Sequence, residues 1–108
     1  MNLSEMKCKS CEGGLPAFKK EKAQQYCLQL SGWQLVEDSE LKIQKIFQFR
    51  DFIAAMKFVN QVADMAEEQN HHPDIAIHYN KVDILIWTHA VKGLTENDFI
   101  LAAKIDCI

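Results

Sequence analysis

Residues 50–69 contain neither Pro nor Gly, and the run ends at Asn70-His71-His72-Pro73. Within it Phe52, Met56, Val59, Ala63 and Ala66 recur at helical spacing. Ala55, Phe58, Val62 and Met65 widen that stripe, and Lys57, Asn60, Gln61, Asp64 and Glu68 take the other face. The pattern predicts a helix over 50–69. Pro73 closes it, because the proline ring disfavours helical backbone at the preceding residue. The apolar arc is wider than the ~100° that one sheet contact requires. Two readings stand: the helix is sunk deep in its own core, or its edge, through Phe58, Val62 and Met65, also meets a second subunit.

A long helix of this kind must be placed between whatever flanks it, and both flanks change period. Gly32-Trp33-Gln34-Leu35-Val36 starts a strand, and Asp38-Ser39-Glu40 reads as a turn. Leu41, Ile43, Phe47 and Phe49 then alternate with Lys42, Gln44 and Gln48, which is the strand period. Lys45 and Ile46 break the alternation, so a bulge or an edge position is expected there. After Pro73, Ile75, Ile77 and Tyr79 alternate with Ala76, His78 and Asn80. Asn80-Lys81 makes a tight turn into Val82, Ile84, Ile86 and Thr88, interleaved with Asp83, Leu85, Trp87 and His89. That last strand is apolar on both faces apart from Asp83, which predicts a central position. Upstream, Ala23, Tyr26, Cys27 and Leu30 predict a first helix over 16–30, stopped by Ser31-Gly32. Downstream, Thr95-Glu96-Asn97-Asp98 reads as a capping box with Asp in place of Glu, flanked by Leu94 and Phe99 at the staple positions. The order is therefore α-β-β-α-β-β-α. It predicts an α+β fold, a four-stranded antiparallel sheet with helices packed on one face.

The chain has 108 residues, enough for one domain with a core of its own. We read residues 1–14, ending in Gly13-Gly14, as an N-terminal arm and 15–108 as the single domain. Formal net charge is −3 with no basic stripe, so a nucleic-acid partner is not expected. No apolar run reaches membrane-spanning length and no signal-type apolar region opens the chain, so a cytoplasmic location without membrane association is expected. Reduced cysteines fit that location. Cys8-Lys9-Ser10-Cys11 has the spacing of half a zinc site or of a redox pair, yet no second such pair exists, and an incidental or structural role is the simpler reading.

The chemistry-bearing residues gather between 67 and 99. Glu67 precedes His71 by four, the spacing that sets a carboxylate beside an imidazole on a helix face. His72, held extended by Pro73, points differently from His71, so the two rings can flank one ligand. His89, near the end of a strand, offers a second acid/base group. Against this, a His-His-Pro run often only terminates a helix, Glu67 can be solvated, and Asp98 has a sufficient structural job as a cap. Three histidines can also hold zinc, but the H-x-x-x-H spacing is absent. His78 receives no role. There is no G-x-S-x-G context for a serine nucleophile and no glycine-rich phosphate loop.

Taken together, Glu67-x-x-x-His71-His72-Pro73, Tyr79-Asn80-Lys81-Val82, Thr88-His89 and Gly93-Leu94-Thr95-x-x-Asp98 resemble the pterin-4a-carbinolamine dehydratase family in order and spacing. Gly32-Trp33 and Phe47-x-Phe49-x-Asp51-Phe52 resemble its earlier blocks, and Cys11-Glu12-Gly13-Gly14 the arm of some non-animal members. Ile75 departs from the aromatic residue that animal members carry there. The resemblance implies dehydration of 4a-hydroxytetrahydrobiopterin to quinonoid dihydropterin, which recycles the pterin of an aromatic amino acid hydroxylase. It implies catalytic His71, His72 and His89, with His71 and His89 in acid/base work and His72 holding the pterin. Glu67 is expected to orient the cluster; Asn70, Trp87, Thr88 and Asp98 to border the pocket, with Trp33 a more distant wall. No metal and no further cofactor is implied, the pterin being the substrate. A homodimer or homotetramer is expected. The alternative function is non-enzymatic, an assembly partner of another protein through helix 50–69.

Overall fold

In the computed structural model the described residues are 2–8 and 16–108. Cys11 and Gly13-Gly14 lie outside them, and with Cys11 the pair it would form with Cys8. The helices are α1 (Lys20–Cys27), α2 (Phe52–Gln69) and α3 (Glu96–Asp106). The strands are β1 (Gln34–Glu37), β2 (Leu41–Gln48), β3 (Asp74–His78) and β4 (Lys81–Ile86). Among the described residues there are also two 3₁₀ turns, Leu3–Glu5 and His89–Val91. The strands form one antiparallel sheet in the order β1-β2-β4-β3, so β4 is central as its two apolar faces predicted.

One face of the sheet carries the core. Ile43 of β2 and Val82, Ile84 and Ile86 of β4 are fully buried. Ala55, Phe58, Val62 and Ala66 of α2, and Phe99, Ile100, Leu101, Ala102 and Ile105 of α3, are buried with them. Burying each large side chain of this kind is worth about 1.5–3 kcal/mol. The buried line on α2 corrects one expectation. Phe58 and Val62 belong to this chain's own core and are not available to a second subunit. The large exposed apolar residues of α2 are Phe52 and Ile53, in its first turn.

No bulge interrupts β2. Its register with β4 runs unbroken from Ile43↔Ile86 to Gln48↔Lys81. Lys45 instead occupies a core-face position and carries its charge to the edge on an apolar stem. Its Nζ donates to Asp106 Oδ1 and to the Ser31 carbonyl, each at 2.8 Å. Ile46 accordingly faces outward and is exposed. Trp33 donates through Nε1 to the other oxygen of Asp106 at 3.0 Å.

The ends of α2 are explicit. Asp51 caps the start, accepting the Ala54 amide at 2.8 Å. At the finish Asn70 is left-handed at φ 51°, a conformation that Asn tolerates better than most residues. The His71 amide donates to the Ala66 carbonyl at 3.1 Å and the Asn70 amide to the Glu67 carbonyl at 3.2 Å. This pair of bonds is a Schellman motif, and it turns the chain sharply off the helix axis. α1 is shorter than predicted. Ahead of it the Phe18 amide donates to the Leu94 carbonyl, which holds residues 16–19 outside the helix.

Candidate active site

The Schellman turn brings His71 out of α2 and against the first turn of α3. His71 Nε2 lies 2.6 Å from Asp98 Oδ1, with the imidazole 6% exposed and the carboxylate 0%. Asp98 Oδ2 accepts the Thr88 hydroxyl and the Thr95 amide, both at 2.8 Å. The Thr95 bond is one limb of the predicted capping box. The Thr88 and Thr95 hydroxyls are also hydrogen-bonded to each other at 3.0 Å. The amides of the first turn of α3 point toward this end of the side chain, as capping requires. Being acceptor-only, the carboxylate assigns the proton on Nε2 to His71. The ring is left to work at Nδ1, as a base when neutral and as an acid when protonated.

The opposite wall comes from the end of β4. Thr88 and Gly93 exchange backbone hydrogen bonds, Thr88 N–H to Gly93 O at 2.8 Å and Gly93 N–H to Thr88 O at 3.3 Å. That bridge closes the 3₁₀ turn which presents His89. The His89 ring is exposed and packs on Trp87 with centroids 4.1 Å apart. Trp87 is itself held on two sides, its Nε1 donating to Asp74 Oδ2 at 3.4 Å and Lys42 Nζ standing 4.5 Å from its ring centroid. Between the walls lies an open cleft of about 220 Å³ lined by Asn70, His71, His72, Trp87, Thr88, His89 and Ala90. It brings three imidazoles to one concave surface, one buried and pinned, two solvated. Such a surface can give and take protons around a flat ligand.

Six of the residues singled out from sequence therefore line one cleft: Asn70, His71, His72, Trp87, Thr88 and His89. Three stand elsewhere, Glu67, Asp98 and Trp33. Glu67 reaches His72 Nε2 at 3.3 Å on the exposed rim and does not pair with His71. The four-residue spacing assumed a helix continuing through 71, whereas α2 ends at Gln69 and the left-handed Asn70 redirects His71. Asp98 does not border the cleft but lies fully buried behind His71. Trp33 is no wall of it either, since it packs near the C-terminal end of α3 while the cleft adjoins the N-terminal end. Ala90 and Lys42 were not read from sequence. Lys42 follows only from register, as the residue opposite Trp87 one step beyond the Ile43↔Ile86 pair.

Comparison with known proteins shows the family. The family model described as pterin 4 alpha carbinolamine dehydratase matches residues 16–108. A protein of Rubrobacter xylanophilus with the provisional name pterin-4-alpha-carbinolamine dehydratase is 45% identical over 96% of this chain and 95% of its own length. One of Halorhodospira halophila, with the same provisional name, is 43% identical over 100% and 98%. A crystal structure from Brucella melitensis, described as a transcriptional coactivator/pterin dehydratase, superposes with a TM-score of 0.79 at 35% identity, covering 84% of this chain and 96% of that one. A pterin dehydratase-like protein identified as a RuBisCO assembly factor in the alpha-carboxysome shares the fold, with a TM-score of 0.61 at 22% identity over 71% and 88%. A match from residue 16 to residue 108, and relatives above 40% identity along nearly their whole length, make this chain a member of the pterin-4a-carbinolamine dehydratase family.

Proposed function

We propose that this chain dehydrates a 4a-hydroxytetrahydropterin, 4a-hydroxytetrahydrobiopterin in the first instance, to the quinonoid dihydropterin. The C4a–O bond breaks, the hydroxyl leaves as water after taking a proton, and N5 gives up its proton as the C4a=N5 bond forms. The observation that carries the reading is His71, buried against Asp98, in one wall of a cleft that two further histidines also line. His71 and His89 do the acid/base work from the two walls, each contributing typically ~10²–10⁴-fold. His72, exposed and paired with Glu67, holds the pterin. The reaction needs no metal and no redox cofactor. Its substrate is the product of an aromatic amino acid hydroxylase, so the two enzymes act in sequence in the cytoplasm.

The test is to add the pure protein to a phenylalanine hydroxylase assay and follow the decay of the carbinolamine absorbance. The decay should accelerate in proportion to the protein added and survive dialysis against a strong chelator. Decay at the uncatalysed rate sinks the proposal, and a chelator-induced loss restored by zinc sinks its metal-free form. A second reading is favoured by one observation, the exposed Phe52 and Ile53 at the start of α2. It makes the chain an assembly partner of another protein, and it gains if the cleft proves inert.

A further inference from the structure

The segment 2–8 runs along α3. Leu3 is buried in the core, and Lys104 Nζ donates to the Ser4 carbonyl at 2.9 Å. At its other end Cys8 sits between the two tips that carry the His71–Asp98 pair. The Cys8 amide donates to Gln69 Oε1 at 3.0 Å, and the Cys8 thiol donates to the Asn97 carbonyl at 3.6 Å. Gln69 is the last residue of α2, two positions before His71, and Asn97 immediately precedes Asp98. Both are buried, at 9% and 1% exposure. One residue of the arm thus joins the chain ahead of the imidazole to the chain ahead of its carboxylate.

The Schellman motif sets His71 on its own helix, and the capping box sets Asp98 on its own. Cys8 is a cross-tie between the two. Hydrogen bonds weaken steeply as distance and angle depart from the optimum. A misplacement of ~1 Å in a catalytic group can cost about 10²-fold in rate. We infer that residues 2–8 are a positioning strap for the His71–Asp98 pair, with Gln69 the positioning residue that receives it. Neither Cys8 nor Gln69 lines the cleft, so the strap acts through His71 and not on the ligand.

The inference rests on the dehydratase reading only where it is read by turnover. The experiment uses the full chain with Gln69→Leu, which removes the acceptor, and Gln69→Glu, which keeps an oxygen at the same reach. It measures kcat and KM, and by NMR the far-downfield proton that a short His Nε2–H···carboxylate bond produces. Gln69→Leu should lower kcat about tenfold, leave KM within about twofold, and broaden the downfield proton or move it upfield. Gln69→Glu should recover most of kcat and the signal. Lys104→Met frees the strap at its other end and should move the same signals less, which keeps the test decisive if Gln69→Leu does not fold. Unchanged kcat and an unchanged proton in folded Gln69→Leu, or in Lys104→Met should the former be unfolded, overturn the strap. If the wild-type chain dehydrates nothing while the proton still responds to Gln69→Leu, the strap stands and the dehydratase reading falls.

Discussion

Asp98 receives hydrogen bonds from His71, Thr88 and Thr95 through two oxygens, which joins a helix cap to the buried imidazole in one side chain. Asp98→Asn separates the jobs. Its carbonyl oxygen can take the Thr88 and Thr95 donors, but its NH₂ then faces His71 Nε2 and forces the other tautomer. Stability should fall by roughly 0.5–2 kcal/mol in denaturant melts, the range of a weakened cap. Turnover should fall far more, by about 10²-fold or greater, as expected when a carboxylate that sets a catalytic tautomer becomes an amide. Equal losses in both measurements would return Asp98 to a purely structural role, the reading that the Thr95-x-x-Asp98 spacing alone supports. That spacing is local, so the cap was legible in the sequence. The His71 contact was not, because it depends on the left-handed turn at Asn70 and on where α3 docks. His71 and His89 invite a second test. Each single alanine variant should retain residual activity, since the other ring remains, and the double variant should approach the uncatalysed rate. With a carbinolamine epimer in hand, each single loss should fall more heavily on one stereoisomer, because the two rings come from opposite walls. Near-wild-type turnover in the double variant would remove both from the mechanism.

Among the elements, the two hairpins and α2 were legible because period two and period 3.6 differ sharply and Pro73 and Gly93 punctuate them. What failed was local to residues whose partners are remote in sequence. Lys45 breaks the strand pattern only until Asp106 is seen to receive its charge. α1 starts later than its sequence predicts because Phe18 pairs with Leu94, a contact no window around Pro16 contains. α2 offers an element-scale control for the site. Its cap, Asp51, lies at the far end of an 18-residue helix, some ~27 Å from the Schellman turn at 1.5 Å per residue. Asp51→Ala should therefore cost about 1 kcal/mol of stability and leave kcat and KM as they are. A fall in kcat would mean that the position of α2 as a whole, beyond its last turn, governs His71.

At the scale of the molecule, the cleft and the apolar surface lie at opposite ends of α2. Ile53 is 79% exposed and Phe52 48%, in the first turn of that helix, while Tyr79 is 66% and Ile77 38% at the end of β3. The two segments are held together by Phe49 N–H to Asn80 O at 2.8 Å and Asn80 Nδ2 to Phe49 O at 2.9 Å. Single exposed apolar side chains are ordinary, but several around one joint make a patch of the kind that marks an interface. Among the described residues β3 is also an edge strand of the sheet. A second copy of the chain offers both the apolar patch and the edge strand in self-complementary form, as a two-fold axis requires. Light scattering at micromolar concentration should report at least a dimer. Ile53→Glu puts a charge into the patch without touching the core, and it should shift the population toward monomer while sparing the melting behaviour of the monomer itself. Phe58 and Val62, the residues the helical stripe alone suggested for this role, should instead destabilise the fold by about 2–5 kcal/mol when cut to Ala, through loss of core packing. A wild-type chain that scatters as a strict monomer would leave Phe52 and Ile53 without a partner of their own kind. It would direct the search to a different protein.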